Sequence, residues 1–404
     1  MREFTADGTL KKPKDMQGKV CLQPFTNVDV HSHGGVRCCS ESWMRTEIGN
    51  IKQNSLNEIW NGETIQKIRA SILDGSYSFC DWHQCPFYSN DNHYLFTIDE
   101  LQHPEKLDAV RRDRVMKHRN WLAPIFNRET IVKIHPANYN FAYDESCNLA
   151  CPSCRTRTIG YIRGPEYEQR KQIQDEVLKY IESAGFDNVG RINISGSGEP
   201  FSSKLFKEFL FSFDGRSRKN LDINIQSNGV LFDRKAWEKM EKIQDNINEV
   251  LISIDACTAE TYDKVRVNGD FDKLMANLEF MKSLYEQGRI RRFMLAFVVQ
   301  YRNYHEMRGA IEIGKRLGVE RIVFNLLNDW ETWSREQYEH NAIWKSFHPE
   351  FPQFIATLKD PIFSDPIVDL GNMQQYWMIA NSADAAGMQT PVTEEAHAGE
   401  AVTE

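Results

Sequence analysis

The segment CNLACPSC, residues 147–154, is the most informative part of this 404-residue chain, because it places Cys147, Cys151 and Cys154 within eight positions. Thiols this close together, with Pro152 between the last two, do not pair with one another in good disulfide geometry. They can instead converge on one metal centre, and three protein ligands leave one metal position open for chemistry. The alternatives are a zinc site completed by a distant ligand and three unconnected thiols.

Apolar, β-branched runs alternate with helical patterns between about residue 131 and residue 335. The runs lie at 131–134, 190–195, 221–226, 249–255, 292–300 and 319–326. This alternation predicts an α/β fold with a parallel sheet. Right-handed crossovers would close the six strand–helix units into a partial (β/α)6 TIM-like barrel, and a flat doubly wound sheet is the rival. In either architecture we expect ligands at the carboxyl ends of the strands.

Polar motifs follow several of the predicted strands at that edge. After the second strand, the segment ISGSGEPF supplies glycines that let the backbone approach a ligand and a carboxylate that can hold an ammonium group. The candidate ligand-binding residues along the edge are Gly196, Ser197, Gly198, Glu199, Asn228, Ser253, Asp255, Arg266, Gln300 and Asn303. Each has a structural alternative as a turn, helix cap or surface residue, but their order on successive strands predicts one binding edge.

The cysteine loop, the GSGE segment and the QSNG and SID strand ends together resemble the radical S-adenosylmethionine (SAM) enzymes over roughly residues 135–330. The resemblance implies that the three cysteines hold a [4Fe–4S] cluster, whose fourth iron binds the amino and carboxylate groups of SAM. It also implies that Glu199 holds the amino group and that the later motifs contact the rest of SAM. Ser197 replaces the middle glycine of the family's GGE motif, and Ser153 occupies a position that is often aromatic.

Five further cysteines precede this region, in a segment that also contains a glycine turn and the motifs GNI and SLNEIW. They are Cys21, Cys38, Cys39, Cys80 and Cys85. The segment resembles a SPASM (or shorter twitch) domain, which implies an auxiliary [4Fe–4S] cluster held by the first cysteine, the last two and one of the adjacent pair. A structural zinc site is the alternative. In most relatives this domain follows the catalytic one, whereas here it precedes it.

Cys257 is the candidate catalytic residue, because it follows the fourth strand and is expected to face the site. A thiol there could return a hydrogen atom to a substrate radical from the opposite face, which would invert a stereocentre. With one radical SAM cluster, one auxiliary cluster and one donor cysteine, the chain resembles carbohydrate-modifying radical SAM epimerases. A buried small residue is the structural alternative for Cys257. The alternative functions are a dehydrogenase of a sugar or cyclitol alcohol, with the auxiliary cluster as electron acceptor, and a ribosomal-peptide maturase.

Composition and charge limit the partners of the chain. A net charge of −8 argues against a broad nucleic-acid surface. The basic residues from Arg155 to Lys171 are expected to be solvated helix surface, and binding of a phosphorylated substrate is the alternative. No apolar run is long enough to cross a bilayer, and the first twenty residues do not resemble a secretion signal. We therefore expect a cytoplasmic protein with no membrane or nucleic-acid partner. The family resemblance implies a small-molecule, carbohydrate substrate and a flavodoxin- or ferredoxin-type electron donor.

The expected domain organisation has five parts. They are a cysteine-rich domain at 1–95, a helical connector at 96–130, the partial barrel at 131–335, a C-terminal cover at 336–380 and a disordered tail at 381–404.

Overall fold

A computed structural model describes residues 16, 18–81, 85, 87, 95–183, 189–194 and 197–382. Its centre is a ten-stranded sheet in the order β12-β11-β10-β9-β8-β7-β6-β2-β3-β4. The strands are β2 (Asn27–His31), β3 (Gly35–Arg37), β4 (Gly49–Asn50), β6 (Asn138–Ala142), β7 (Arg191–Ile194), β8 (Asp222–Ser227), β9 (Ile247–Ser253), β10 (Arg292–Val299), β11 (Arg321–Leu326) and β12 (Val368–Asp369). Two more strands, β1 (Lys19–Cys21) and β5 (Leu95–Thr97), form a separate antiparallel pair.

Strands β6 to β11 are parallel and lie side by side in chain order. Helices connect successive strands and pack on the outside of the sheet, and they are Pro165–Ser183, Lys204–Ser212, Arg234–Lys239, Ala259–Val265, Phe271–Glu286 and Met307–Leu317. The alternate apolar residues of the strands, such as Val250 and Ile252 of β9, are buried in the core between sheet and helices. This arrangement is the predicted partial (β/α)6 barrel.

The first barrel strand lies later in the chain than the apolar run 131–134 predicts. That run is not a strand, and Ile131 and Ile134 are 48% and 37% exposed. Hydrogen bonds from the N-terminal region hold it, since Trp60 Nε1 donates to the Ile134 carbonyl at 2.9 Å. The actual strand, Asn138–Ala142, alternates polar residues with the buried rings of Tyr139 and Phe141. The strand is therefore one with a polar face, and the continuously apolar run 131–134 before it does not join the sheet.

The N-terminal region extends the sheet of the barrel, which the sequence analysis did not foresee. Strand β2 pairs in parallel with β6 over five residue positions, from Asn27 opposite Asn138 to His31 opposite Ala142. Strands β3 and β4 continue outward from β2 as an antiparallel extension. The predicted boundary at residue 95 falls at the first residue of β5, which pairs with β1. The division into domains therefore stays a proposal.

Two N-terminal helices pack beside this extension. The helix Leu56–Trp60 begins at Ser55 with a capping box to Glu58, which satisfies backbone groups at the helix start. The helix Glu63–Leu73 follows, and its Arg69 side chain is completely buried. The Arg69 guanidinium donates to three backbone carbonyls and one side-chain amide, which replaces its lost hydration.

Short helices at Ile98–Gln102, Ala109–Lys117 and Ala123–Phe126 occupy the expected connector region. After the barrel, the chain forms the helices Arg335–Asn341, Phe351–Thr357 and Gln374–Ala380, and strand β12 pairs in parallel with β11. Most of the predicted tail, from residue 383 onward, lies outside the described residues. Within the described part of the chain, no helix has the length and apolar character that crossing a bilayer requires.

Candidate functional site

The loop after β6 carries Cys147, Cys151 and Cys154. Backbone hydrogen bonds in both directions between Cys147 and Ile159, at 2.8 and 3.2 Å, close this loop at its base. Cys147 and Cys151 are buried and Cys154 is exposed, and all three thiols are free. The loop therefore presents the three sulfurs on one compact segment beside the carboxyl end of the first barrel strand.

Each of these sulfurs faces a nitrogen donor. Arg155 Nη2 lies 3.3 Å from Cys154 Sγ, Arg266 Nη1 lies 3.8 Å from Cys151 Sγ, and Asn228 Nδ2 lies 3.9 Å from Cys147 Sγ. Burial raises the pKa of the Cys147 thiol to about 11, and the positive charge of Arg155 opposes that rise. Cationic and N–H donors around buried sulfurs favour the thiolate form that metal ligation requires.

Arg155 lies beside the cysteine loop, and its expected place on solvated helix surface is wrong. It is buried, and its guanidinium donates to the Glu145 carbonyl at 2.6 Å and to the Ser197 carbonyl at 2.8 Å. These bonds join the cysteine loop to the loop after β7. The signal available in the sequence was its position directly after Cys154, since a cation beside a cysteine ligand stabilises the thiolate.

The loop after β7 packs directly against the cysteine loop. A Cβ atom on Gly198 would lie 2.4 Å from the Asp144 carbonyl oxygen and 2.8 Å from that of Ser146, so this position needs glycine. Ser197 contributes its carbonyl to Arg155 and its hydroxyl, at 3.3 Å, to the Asp144 carbonyl. The predicted site residue Gly196 lies outside the described residues.

Glu199 is a buried carboxylate without a salt bridge among the described residues. It accepts hydrogen bonds from the Asn228 amide at 2.7 Å, the Ser227 hydroxyl at 2.8 Å and the Phe201 amide at 3.1 Å. Burial raises its pKa, and these hydrogen bonds oppose the rise. A buried, hydrogen-bonded carboxylate of this kind is suited to receive a ligand cation.

Asp255 and Arg266 form a buried ion pair, with Asp255 Oδ2 and Arg266 Nη2 2.7 Å apart. Asp255 has a φ of 51°, in the left-handed region, and its second oxygen accepts from the Val298 amide at 2.8 Å. Arg266 Nε is buried without a hydrogen-bond partner among the described residues. The pair thus leaves one guanidinium donor available beside Cys151, where a carboxylate ligand could accept from it.

The remaining predicted residues lie nearby with different degrees of support. Ser253 ends β9 opposite Ala296 and is partly exposed. Gln300 is buried, and its backbone amide donates to Asn303 Oδ1 at 2.8 Å. Asn303 is fully buried, and both hydrogens of its side-chain amide are committed to the backbone carbonyls of Asp255 and Val298. These contacts give Asn303 a structural role, and its contact with a ligand stays a prediction.

The Cys257 thiol is directed differently from the expectation. Its Sγ donates to the Glu306 carbonyl at 3.3 Å, and a Cβ on Gly309 would lie 3.2 Å from the sulfur. Both contacts are with the segment that begins the helix Met307–Leu317, on the outer layer of the barrel. Burial, with Glu306 nearby, raises the pKa of this thiol to about 12. The recorded contacts therefore favour the alternative of a packed small residue.

The five N-terminal cysteines lie in one region, where the thiols of Cys21 and Cys39 both interact electrostatically with Cys38 and Cys85. Cys21, Cys38, Cys39 and Cys85 are buried and Cys80 is partly exposed. Burial raises the pKa of the thiols of Cys21, Cys38, Cys39 and Cys80. Within the adjacent pair, Cys39 Sγ accepts a hydrogen bond from the Trp43 indole at 3.1 Å, whereas Cys38 Sγ contacts Met44 Sδ at 3.5 Å. Among the described residues, no group of three or more His, Cys, Asp and Glu side chains is arranged to hold a metal ion.

Two family models match the chain in the same two regions. The model described as the radical SAM superfamily matches residues 145–313, and the SPASM model, described as an iron–sulfur cluster-binding domain, matches residues 21–86. These matches identify SAM, a [4Fe–4S] cluster and an auxiliary iron–sulfur centre as the cofactors.

Individual relatives are distant. Probable GTP 3′,8-cyclases of Methanococcus maripaludis and Saccharolobus islandicus are each 27% identical to the chain, over 143 and 179 residues. These alignments cover 35% and 44% of this chain and 44% and 52% of the relatives. The chain therefore spans about half the length of the curated relatives it matches.

The solved structures are similarly remote. SuiB of Streptococcus suis bound to SAM is 12% identical, with a TM-score of 0.42, over 67% of this chain and 59% of that chain. An archaeal TYW1 is 18% identical, with a TM-score of 0.25, over 41% of this chain and 61% of that chain.

The described residues fit these cofactors. The donors on the three sulfurs suit thiolate ligands, and the unpaired Glu199 carboxylate and the free Arg266 Nε match the ammonium and carboxylate of an amino acid. The close approach at Gly198 brings the loop that bears Glu199 against the cysteine loop. The assignment of individual ligands stays a prediction.

Proposed function

Because the chain contains a radical SAM domain and a SPASM domain, we propose that it is an enzyme that oxidises a small-molecule substrate by radical chemistry. The bound groups would supply reductive cleavage of SAM to a 5′-deoxyadenosyl radical, abstraction of a substrate hydrogen atom, and a one-electron acceptor at the auxiliary centre. The protein's own residues hold SAM, orient the substrate and exclude water.

The residues at the strand ends provide the SAM site in this proposal. Glu199 would hold the ammonium group, since its carboxylate is buried and has no salt bridge among the described residues. Arg266 would donate from its free Nε to the SAM carboxylate, while Asp255 keeps the guanidinium in place through their ion pair. Arg155 would stabilise the loop by bonding two carbonyls and facing Cys154 Sγ.

The contacts of Cys257 are the reason for preferring oxidation over epimerisation. An epimerase needs a hydrogen donor beside the substrate, and Cys257 was the candidate. Its sulfur contacts the Glu306 carbonyl and Gly309 in the helical layer, which supports a packing role. Oxidation needs no such thiol. A cavity inside the barrel, referred to below as the interior cavity, is lined by Cys39 of the cysteine-rich region and by residues of strands β6 to β9.

Cyclisation of a guanine nucleotide is a second candidate, which the names of the curated relatives suggest. It would require basic side chains to bind the triphosphate. Among the described residues that line the interior cavity, none is Lys, Arg or His. We therefore prefer oxidation of an unphosphorylated molecule.

The test uses anaerobically reconstituted protein with SAM and dithionite. Formation of 5′-deoxyadenosine is expected, and replacing Cys147, Cys151 and Cys154 together by Ala should abolish it. Substrates are then found as compounds that stimulate SAM cleavage, and the reaction is repeated in heavy water. We expect an oxidised product with no carbon-bound deuterium, formed equally well by Cys257→Ala.

Two results would contradict the proposal in different ways. Protein that carries both iron–sulfur centres but forms no 5′-deoxyadenosine would refute radical SAM activity. An inverted product that gains one solvent deuterium, and is lost in Cys257→Ala while SAM cleavage persists, would refute oxidation and restore the epimerase alternative.

A further inference from the structure

A polar cavity lies inside the barrel, between the sheet and the cysteine-rich region. Its volume is about 430 Å³, within the range of roughly 300–1,000 Å³ that small-molecule sites occupy. The sheet contributes amide side chains from four strands, and the cysteine-rich region contributes Cys39, Ser40 and Trp43.

The cavity wall is one polar row that crosses the sheet. Asp29, Asn140, Asn193, Asn224 and Glu249 occupy directly opposite positions on β2, β6, β7, β8 and β9. Their apolar neighbours along each strand point to the core. The row is therefore fixed in position by backbone pairing on five neighbouring strands.

Side-chain hydrogen bonds run along part of the row, and in each of them the amide nitrogen donates toward Asn193. Asn248 Nδ2 donates to Asn224 Oδ1 at 2.9 Å, and Asn224 Nδ2 donates to Asn193 Oδ1 at 3.0 Å. Asn193 Nδ2 has no protein acceptor within the described part of the chain, so this donor is available to a ligand. At the far end, Asn140 lies directly opposite Asp29, and its side chain lowers the pKa of that carboxyl group.

An unpaired acceptor also lines the cavity. Gln23 is buried to more than nine-tenths, and its Oε1 has no hydrogen-bond partner among the described residues. Leaving a buried amide oxygen without a donor is costly, so a ligand hydroxyl or ammonium hydrogen is expected there. The cavity thus needs a ligand that both donates and accepts hydrogen bonds.

The charges in the cavity exclude anions. Glu249 pairs with Arg292 at 2.7 Å, whereas Asp29 forms no ion pair among the described residues. Arg37 lies opposite Asp29 on the neighbouring strand, and its ion pairs are with Glu41 and Glu47. None of the described lining residues is basic. Burial raises the pKa of Asp29 to about 7, and the charge of Arg37 opposes this rise. An ammonium group in the cavity would stabilise the ionised carboxylate, whereas a phosphate would destabilise it.

We infer that this cavity is the substrate site of the proposed oxidation and takes an unphosphorylated, hydroxyl-rich ring that carries an amine. The inference rests on the proposed function, and it adds the substrate class. The ring hydroxyls bind Asn193 Nδ2 and Gln23 Oε1, and the ammonium group binds the Asp29 carboxylate.

The experiment measures binding of three probes to the reconstituted, SAM-loaded protein by anaerobic calorimetry. The probes are D-glucosamine, D-glucose and D-glucosamine 6-phosphate, which differ in the amine and in the phosphate. We expect glucosamine to bind at least about tenfold more tightly than each of the other two, because a charge-assisted hydrogen bond exceeds a neutral one. Asp29→Asn should remove the advantage over glucose, and Asn193→Ala should weaken both unphosphorylated sugars.

The control variant is Glu182→Gln, which changes an exposed carboxylate on the outer helix Pro165–Ser183 and should leave all three affinities unchanged. Iron content and SAM cleavage are measured on every sample. Three results would overturn the inference while SAM cleavage still supports the enzyme class. They are tighter binding of the phosphorylated probe, no binding of any probe, and affinities that are the same in Asp29→Asn and Asn193→Ala as in the unmodified protein. Absence of SAM cleavage in the unmodified protein would instead refute the proposed function.

Discussion

The hydrogen bond from Trp43 to Cys39 allows a single substitution to test which cysteine of the adjacent pair holds the auxiliary centre. Trp43 Nε1 lies 3.1 Å from Cys39 Sγ, whereas the neighbouring Cys38 Sγ contacts a thioether. An N–H donor on a ligand sulfur stabilises the reduced, more negative centre. We therefore predict that Cys39, and not Cys38, is the cluster ligand, and that Trp43→Phe lowers the reduction potential of the auxiliary centre.

The size of the shift follows from the strength of one hydrogen bond. Such a bond contributes roughly 0.5–1.5 kcal/mol net, and we take a difference of about 1 kcal/mol between the two redox states. For one electron, about 1.4 kcal/mol corresponds to about 59 mV. The substitution keeps an aromatic ring of similar shape and removes the donor, so the expected decrease is about 40 mV.

The measurement is a redox titration followed by electron paramagnetic resonance. It uses protein in which Cys147, Cys151 and Cys154 are all Ala, so that the auxiliary centre alone contributes a signal. Trp330→Phe is the matched control, since Trp330 is 50% exposed and contacts neither cysteine of the adjacent pair in the described structure. Iron content of Cys38→Ser and Cys39→Ser identifies the ligand independently.

An unchanged potential in Trp43→Phe would refute the reasoning, and so would iron loss in Cys38→Ser with retention in Cys39→Ser. A shift of equal size in Trp330→Phe would show that the tryptophan content of the protein, and not this contact, moves the potential.

Three further substitutions test the SAM site. Gly198→Ala should displace the cysteine loop and reduce the iron content of the SAM cluster, measured against Gly160→Ala, whose new Cβ meets no atom within 4 Å. Asp255→Asn should cost about 3–5 kcal/mol of unfolding free energy in chemical denaturation because it leaves a buried guanidinium unpaired, whereas Glu260→Gln, at an exposed ion pair, should leave the unfolding free energy nearly unchanged. Burial raises the pKa of Glu199 in the folded protein, so stability is lost as the pH rises from the ordinary carboxyl pKa to the raised one, and the full loss is present at alkaline pH. Glu199→Gln should therefore raise the Tm of SAM-free protein at alkaline pH and reduce the Tm increase caused by SAM; an unreduced increase would count against Glu199 as the ammonium ligand.

The sequence predicted the parts of the molecule that local patterns encode. Five of the six predicted strands overlap the parallel strands β7 to β11, because strands buried between helices are recognisable as β-branched runs. The first strand was missed because Asn138, Asn140 and Ala142 alternate with aromatic residues, which is the pattern of a strand with one polar face. The same alternation, read on β7 and β8, contained the signal for the polar row.

The direction of Cys257 could not be predicted for a different reason. Side chains alternate along β9, with Val250 and Ile252 in the core, and extending this alternation would assign every later residue a face. The chain leaves the extended conformation at Asp255, whose φ is 51°. Beyond that residue, alternation along the strand no longer predicts which face a side chain lies on. The thiol of Cys257 contacts the helical layer.

The position of the cysteine-rich region at the start of the chain has a structural consequence. Strand β2 pairs with β6, the strand that leads directly into the cysteine loop. At the end of this pairing, Ser32 Oγ donates to Glu145 Oε1 at 2.7 Å, and Arg170 donates to the other oxygen of the same carboxylate at 2.7 Å. Glu145 in turn offers its carbonyl to Arg155, which faces Cys154 Sγ. A continuous set of backbone and side-chain bonds therefore joins the two cysteine regions, so the N-terminal region is part of the scaffold that fixes the SAM cluster loop and cannot be treated as a separable appendage.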